Sequence, residues 1–270
     1  MTDKYAVFGN PIAHSKSPII HAEFAKQTGQ NLEYVAILAD IGKFAEAVNE
    51  FAKQGGKGLN VTVPFKQDAW AFVTACNTNA EKAGAVNTII INEGGEFIGD
   101  NTDGVGLVRD ITKNLDFEIK DKKVLILGAG GAVRGVLGPL LKENPLSITI
   151  ANRTVSKAVE LAELFSDEGN ISATSFDEAG KQNYDLIING TAASLNGDLP
   201  PIADSVYSDA CCYDMMYGKG DTVFMLQAKS CGAQQAWDGL GMLAEQAAES
   251  FFLWRGVRPN TGNVMQKLRS

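Results

Sequence analysis

The first chemistry visible in this chain is phosphate binding. Val124–Leu127 runs straight into Gly128, Ala129, Gly130, Gly131, Ala132 and Val133, the pattern of a strand entering a glycine-rich turn that opens a helix. Such a turn lets backbone amides approach a pyrophosphate, whose charge then meets the positive end of the helix dipole. Val133 stands where the third glycine of GxGxxG is expected. A glycine-rich turn without a ligand is the alternative. The next strand, Ser147–Ala151, ends in Asn152, Arg153 and Thr154, with Lys157 one turn on. NAD-selective sites carry Asp or Glu about 20 residues past the first glycine. A guanidinium there offers a planar fork to a ribose 2′-phosphate, which favours NADP over NAD; a solvated surface arginine and lysine are the bland alternative.

A nicotinamide that gives a hydride to a ketone leaves the protein to supply a proton and to fix the substrate. Only His14 and His21 offer an imidazole, and no metal-ligand spacing is present. Lys and Asp remain. Lys66 follows Asn60, Thr62 and Pro64 just past a strand end, in the first turn of a helix. A cation there opposes the helix dipole, which favours giving up a proton near neutrality; a solvated lysine is the alternative. Asp103 lies in Gly99–Gly104, where a hairpin ends and a helix starts, so it also fits a plain N-cap that stabilises by about 1 kcal/mol. Ser15 and Ser17 fit loop and cap hydroxyls. Gln246 sits beside the stripe of Leu243, Ala247, Ser250 and Phe251, where a polar side chain needs a partner.

The elements that must position these groups form two alternating series. Tyr5–Phe8, a helix from about Ser17, Tyr34–Ile37, a helix from about Asp40 and Leu59–Val63 give a parallel α/β sheet. Ser17 with Pro18 suits a helix start, and Gly29 and Gly55 suit helix stops. Val86–Ile91 and Glu96–Gly99 form a hairpin at one edge. The second series runs from Lys122 through Leu186–Asn189 to a strand near Cys211–Tyr213, with helices after Gly130 and Thr154. Helical spacing resumes over Asp238–Trp254 and in a short final helix. The expected fold is therefore α/β with two open sheets. The domains are residues 1–102 for substrate and catalysis, 103–238 for NADP, and 239–270 as C-terminal helices.

Size and composition agree with this plan. The chain has 270 residues, above the usual size of about 100 to 200 for one domain. Its net charge of −8 argues against nucleic acid and anionic membranes as partners. Cys76, Cys211, Cys212 and Cys231 show neither metal nor disulfide spacing and are expected to be reduced, buried hydrophobes. The opening residues lack a signal-peptide pattern, and no window approaches the roughly 18 apolar residues of a membrane span. A cytoplasmic protein acting on a small molecule is expected, with a homodimer left open.

Taken together, the motifs resemble the shikimate dehydrogenase family. They are Gly9–Pro18, Asn60–Lys66, Ala83–Thr88, Gly99–Gly104, Gly128–Gly135, Asn152–Lys157 and Asp238–Leu243, spread over the chain in the family's order. The resemblance implies Rossmann-type NADP binding, a substrate cleft between two α/β domains, and C-terminal helices returning to the first. It implies reversible NADPH-dependent reduction of 3-dehydroshikimate to shikimate, in aromatic amino acid biosynthesis. Lys66 and Asp103 would be the catalytic pair. Ser15, Ser17, Thr62, Asn87, Tyr217 and Gln246 would bind hydroxyls and carboxylate, with Asn60 nearby. Gly128 to Val133, Asn152, Arg153, Thr154 and Lys157 would hold the cofactor, with Met215 and Gly239 near the nicotinamide. Lys157 replaces an arginine often found there, and Leu195 stands where a glycine is common. The alternatives are a quinate/shikimate dehydrogenase using NAD, against which Asn152–Thr154 and the Ser15–Ser17 run argue, and a non-catalytic NADP-binding regulator, which would not need Lys66 and Asp103.

Overall fold

A computed structural model of the chain describes residues 2–193 and 197–269; Leu195 lies outside the described residues. The chain divides into two compact units, Met1–Gly106 with Ala244–Ser270, and Leu107–Leu243.

In the first unit β1 (Asp3–Gly9) leads through α1 (Ser17–Thr28) to β2 (Leu32–Leu38), and α2 (Phe44–Lys53) returns the chain to β3 (Gly56–Val61). Both β2 and β3 pair with β1 in parallel, on its two sides. There follow α3 (Lys66–Phe72), β4 (Ala75–Cys76), α4 (Thr78–Ala83) and the hairpin of β5 (Thr88–Ile91) and β6 (Phe97–Asp100). The sheet order is β2-β1-β3-β5-β6-β4. Alternation along β1 sorts its side chains between two layers. Ala6 and Phe8 pack with Phe44, Val48 and Phe51 of α2, whereas Tyr5 and Val7 pack on the opposite face with Tyr34.

Helix α5 (Asp103–Arg109) continues as a turn of π-helix, Asp110–Asn114, and opens the second unit. Here β7 (Lys123–Leu127), α6 (Gly131–Lys142), β8 (Ser147–Ala151), α7 (Val155–Leu164) and β9 (Ile171–Thr174) form one half. The other half is α8 (Phe176–Ala179), β10 (Leu186–Asn189), β11 (Cys211–Asp214), α9 (Val223–Ser230) and β12 (Gln235–Trp237). Every pairing is parallel. The order β12-β11-β10-β7-β8-β9 is that of a dinucleotide-binding sheet, in which the strand order reverses between its first and fourth strands, β7 and β10. Val124 and Ile126 face one core with α6 and α7, and Leu125 and Leu127 face the other with Phe176 and Phe224. Helices α10 (Leu240–Arg255) and α11 (Gly262–Arg269) close the chain, and the residues from Ala244 onward join the first unit. No helix of the described residues is long and apolar enough to cross a membrane.

The α/β class, the two sheets and the return of the C-terminal helices match the expectation. Local details differ. Helix α2 begins at Phe44 and not near Asp40, because Gly42 takes φ +81°, a left-handed conformation that cannot lie inside a helix. Ser17 is the first helical residue of α1; Lys16 occupies the cap position without a side-chain bond. The hairpin is not the outermost element, since β4 pairs beyond it. Cys76 and Cys231 are only half-buried, while Cys211 and Cys212 are buried; all four are free thiols.

Candidate active site

Sheet topology brings the first unit's candidate residues to one edge. Strands β1 and β3 are adjacent and diverge in their connections, so their carboxyl ends flank a switch point, where open α/β sheets bind ligands. Ser15 and Ser17 follow β1, and Thr62 and Lys66 follow β3. Because β5 runs antiparallel to β3, its leading residue Asn87 falls at that same end. Strand β6 is antiparallel to β5, and the Asp103 that follows it returns there too.

Lys66 is the first residue of α3 and Asp103 the first of α5. Lys66 Nζ lies 2.5 Å from Asp103 Oδ2, with the two side chains 31% and 17% exposed. Asn87 Nδ2 donates to the other carboxylate oxygen at 2.7 Å. The Asp103 carboxylate is thus engaged by side chains, in place of the simple helix cap that its position alone allowed. Gln246 reaches the group from α10, its Oε1 3.5 Å from the Thr102 hydroxyl. Gly106 makes that approach possible: a Cβ there would sit 2.7 Å from the backbone nitrogen of Gln246.

Asn60 lies behind this group, 7% exposed. Its Nδ2 donates to Asn87 O at 3.2 Å, Thr88 Oγ1 at 3.1 Å and Ser250 Oγ at 2.9 Å, and Tyr34 donates to its Oδ1 at 2.7 Å. Burial lifts the Tyr34 phenol well above its ordinary range, opposed by a hydrogen bond with Ser17, so the phenol keeps the proton it donates. Ser17 in turn gives its N–H to Ser15 Oγ at 3.3 Å. Thr62 is half-buried and borders Gly9 at the end of β1. Hydrogen bonds therefore join Asn60, Asn87, Asp103 and Lys66 into one set, with Gln246 joined through Thr102 and Ser15 bonded to Ser17. Tyr217 belongs to the second unit, on the loop after β11, and is 43% exposed.

The second unit has a cradle for a dinucleotide. Gly128 takes φ +105° and donates its N–H to Ala151 O at 2.8 Å, which ties the turn to the strand bearing Asn152 and Arg153. A Cβ on Gly130 or Gly131 would meet nothing within 4 Å, and no side chain caps the N–H groups of α6. That open, uncapped helix start fits a pyrophosphate. Val133 is fully buried in the core against Gly190, where a Cβ would overlap it. The bulk absent from position 190 thus makes room for the bulk present at 133, which accounts for the missing third glycine. Gly190 also borders Met215, and Gly239 packs on the Met215 carbonyl. Arg153, Thr154 and Lys157 are exposed at the end of β8, and Asn152 is half-buried, which suits contact with a phosphate.

Sequence reasoning missed two sets of supporting residues. Asp214 is fully buried and accepts from Asn189 Nδ2 at 3.1 Å, Met216 N at 3.1 Å and Thr222 Oγ1 at 2.6 Å, joining the loops after β10 and β11. A polar residue closing each of two apolar strands was the available signal. Thr88, Thr102 and Ser250 are the second set; each is adjacent to, or one helical turn from, a residue that was singled out.

Comparison with known proteins decides the family. The shikimate dehydrogenase substrate binding domain matches residues 7–89, shikimate / quinate 5-dehydrogenase matches residues 109–196, and the shikimate 5′-dehydrogenase C-terminal domain matches residues 239–269. This chain belongs to the shikimate dehydrogenase family. Its relative in Cellvibrio japonicus, a shikimate dehydrogenase (NADP(+)), is 55% identical over 270 residues, covering 100% of this chain and 98% of the relative. The crystal structure of an Ael1 enzyme from Pseudomonas putida matches with a TM-score of 0.96 at 42% identity, over 100% of this chain and 99% of that one. Shikimate 5-dehydrogenase from Thermus thermophilus, solved with NADP(H) and shikimate, matches with a TM-score of 0.87 at 30% identity, over 99% of both chains.

Proposed function

We infer that this chain is an NADP-dependent shikimate dehydrogenase, reversibly reducing the 3-keto group of 3-dehydroshikimate to shikimate in the cytoplasm. The observation that carries the reading is the Lys66–Asp103 pair at 2.5 Å, lodged among hydroxyl and amide groups at the switch-point edge of the first sheet. NADPH, held by the second unit's glycine-rich turn, would supply the hydride for this reduction. Lys66 gives its proton to the oxygen that becomes the shikimate 3-hydroxyl, and takes it back in the oxidative direction. Asp103 orients the Lys66 ammonium and accepts a ring hydroxyl. Ser15, Ser17, Thr62, Asn87, Tyr217 and Gln246 hold the remaining hydroxyls and the carboxylate, and Asn60 braces Asn87 from behind.

In the same reading the first unit takes the substrate, with Tyr217 contributed by the second, and the second takes the cofactor. Gly128 to Val133 receive the pyrophosphate. Asn152, Arg153, Thr154 and Lys157 receive the 2′-phosphate, and Met215 and Gly239 border the nicotinamide. A charge-assisted hydrogen bond contributes about 1.5 to 3 kcal/mol, or roughly ten- to a hundredfold in affinity. The test is turnover with NADP⁺ and NAD⁺, each with shikimate and quinate. Preference for NADP⁺ and shikimate is expected, with Arg153→Ala raising KM for NADP⁺ at least about tenfold while KM for shikimate stays put. Equal use of NAD⁺, or a change confined to shikimate, contradicts it.

A further inference from the structure

Asn87 can face Asp103 in two ways, and only one helps the pair. With Nδ2 forward it donates to the carboxylate; with Oδ1 forward it sets an amide oxygen against a carboxylate oxygen. Nothing in an asparagine chooses between these, because the two ends have nearly the same size. The choice has to come from the groups behind it.

Those groups are donors. Asn87 Oδ1 receives the Thr102 backbone N–H at 2.9 Å, the Thr102 hydroxyl at 3.1 Å and the Thr88 hydroxyl at 2.9 Å. A hydroxyl can rotate to suit its neighbour, but a backbone N–H only donates. The Thr102 N–H therefore favours the end that points Nδ2 inward, and the two hydroxyls add two further hydrogen bonds to the same oxygen. Ser250 donates its own proton to Gln246 O at 3.1 Å, so both threonines act as donors and share their protons between Asn87 Oδ1 and Ser250 Oγ. Thr88 Oγ1 takes an N–H from Asn60 at 3.1 Å and lies 2.7 Å from Ser250 Oγ, which is also 3.3 Å from Thr102 Oγ1. Thr88, Thr102 and Ser250 are 0%, 1% and 0% exposed. They come from β5, the residue before α5, and α10, and are too buried to meet a ligand themselves.

We propose that Thr88 and Thr102 are positioning residues whose buried hydroxyls, backed by Ser250, reinforce the Thr102 N–H in holding the Asn87 amide with Nδ2 toward Asp103 Oδ1, leaving Oδ2 for Lys66. The proposal deepens the dehydrogenase reading and rests on it for its kinetic consequence, though the lock exists with or without substrate. It also gives the two threonines in Ala83–Thr88 and Gly99–Gly104 a purpose that substrate contact does not. A hydroxyl is what matters at these positions, and the methyl group is incidental.

Valine and serine variants separate the hydroxyl from the methyl. Thr88→Val/Thr102→Val keeps the volume and removes both donors; Thr88→Ser/Thr102→Ser keeps the donors and removes two buried methyls. The expected result is a kcat for shikimate oxidation about ten- to a hundredfold lower in the valine protein, with KM for NADP⁺ unchanged. The serine protein keeps kcat near the wild-type value despite a lower melting temperature. A merely structural role gives the opposite order, with the serine protein, the less stable one, the more impaired. The second readout is independent of turnover. In ligand-free protein the Asn87 side-chain amide protons, followed by NMR, should exchange with solvent at least about tenfold faster in the valine protein than in the wild-type and serine proteins. Equal exchange rates in all three overturn the proposal, as does wild-type kcat in the valine protein. If wild-type protein fails to oxidise shikimate but the exchange rates differ as stated, the lock stands and the dehydrogenase reading falls. Should the double valine variant not fold, Thr102→Val against Thr102→Ser is the same comparison with one donor removed.

Discussion

At the scale of residues, the pair of Lys66 and Asp103 is held by bonds that each partner could not keep alone. Asp103 divides its two oxygens between the Lys66 ammonium and the Asn87 amide, so removing either member leaves the other misaligned. Lys66→Ala and Asp103→Ala are each expected to lower kcat by at least about a hundredfold, the usual contribution of a general acid or base being 10² to 10⁴. Circular dichroism should show the fold retained; near-normal turnover in either variant contradicts the assigned roles. Scarcity of histidine and of metal spacing pointed to Lys and Asp as residue types, and the pairing of Lys66 with Asp103 came from the resemblance of their motifs to the family, since position alone also allowed a solvated lysine and a helix cap. Their neighbours were less legible. Thr88, Thr102 and Ser250 carry ordinary side chains, and only the fold around Asn87 reveals that the two threonine hydroxyls converge on its Oδ1 while Ser250 packs behind them.

At the scale of elements, close approach does much of the positioning. Helix α10 can bring Gln246 beside α5 because Gly106 presents no side chain. Gly106→Ala gains the helix propensity of alanine, worth about 1 kcal/mol, but places a Cβ 2.7 Å from the Gln246 backbone nitrogen. Overpacking of this kind costs about 1 to 3 kcal/mol. The net effect expected is a lower melting temperature and a KM for shikimate raised more than KM for NADP⁺; an unchanged KM for shikimate would show that α10 can shift without cost. Long alternating elements were readable from the sequence because their burial repeats over several turns. Some short ones were not, although the four-residue strands β5, β6, β10 and β11 were marked by turn residues or apolar runs. Strands β4, β9 and β12 have two to four residues, too few for a period, and exist because a neighbouring strand offers its edge. The start of α2 was displaced by Gly42, whose left-handed backbone is a property of the fold and not of the hydrophobic pattern.

At the scale of the whole molecule, the first unit's core carries a cost in acid. His21 is fully buried, stacked on Tyr34 with ring centroids 4.1 Å apart and bordered by Phe24, Phe251 and Trp254. Neither ring nitrogen has a hydrogen-bond partner, although Asn60 lies beside the ring. Burial lowers its pKa from 6.5 to about 3. The unfolded chain therefore takes up a proton below pH 6.5 that the folded chain refuses until about pH 3, and stability falls as the pH drops through that window. The loss is expected to reach about 2 kcal/mol between pH 6.5 and 5, measured by denaturant unfolding, with His21→Leu abolishing that share of the pH dependence. An identical pH slope in the variant would show that His21 is not its source. The imidazole was counted in the sequence only as a scarce catalytic candidate, and nothing in its spacing revealed that aromatic rings from three elements would enclose it.

The most direct measurement mixes the purified protein with NADPH and 3-dehydroshikimate and follows the nicotinamide absorbance. The expected result is a fall that consumes one NADPH for each shikimate formed and that disappears in Lys66→Ala. A steady absorbance with wild-type protein, or an undiminished fall in Lys66→Ala, would contradict the role given to the ammonium and carboxylate at the edge of the first sheet.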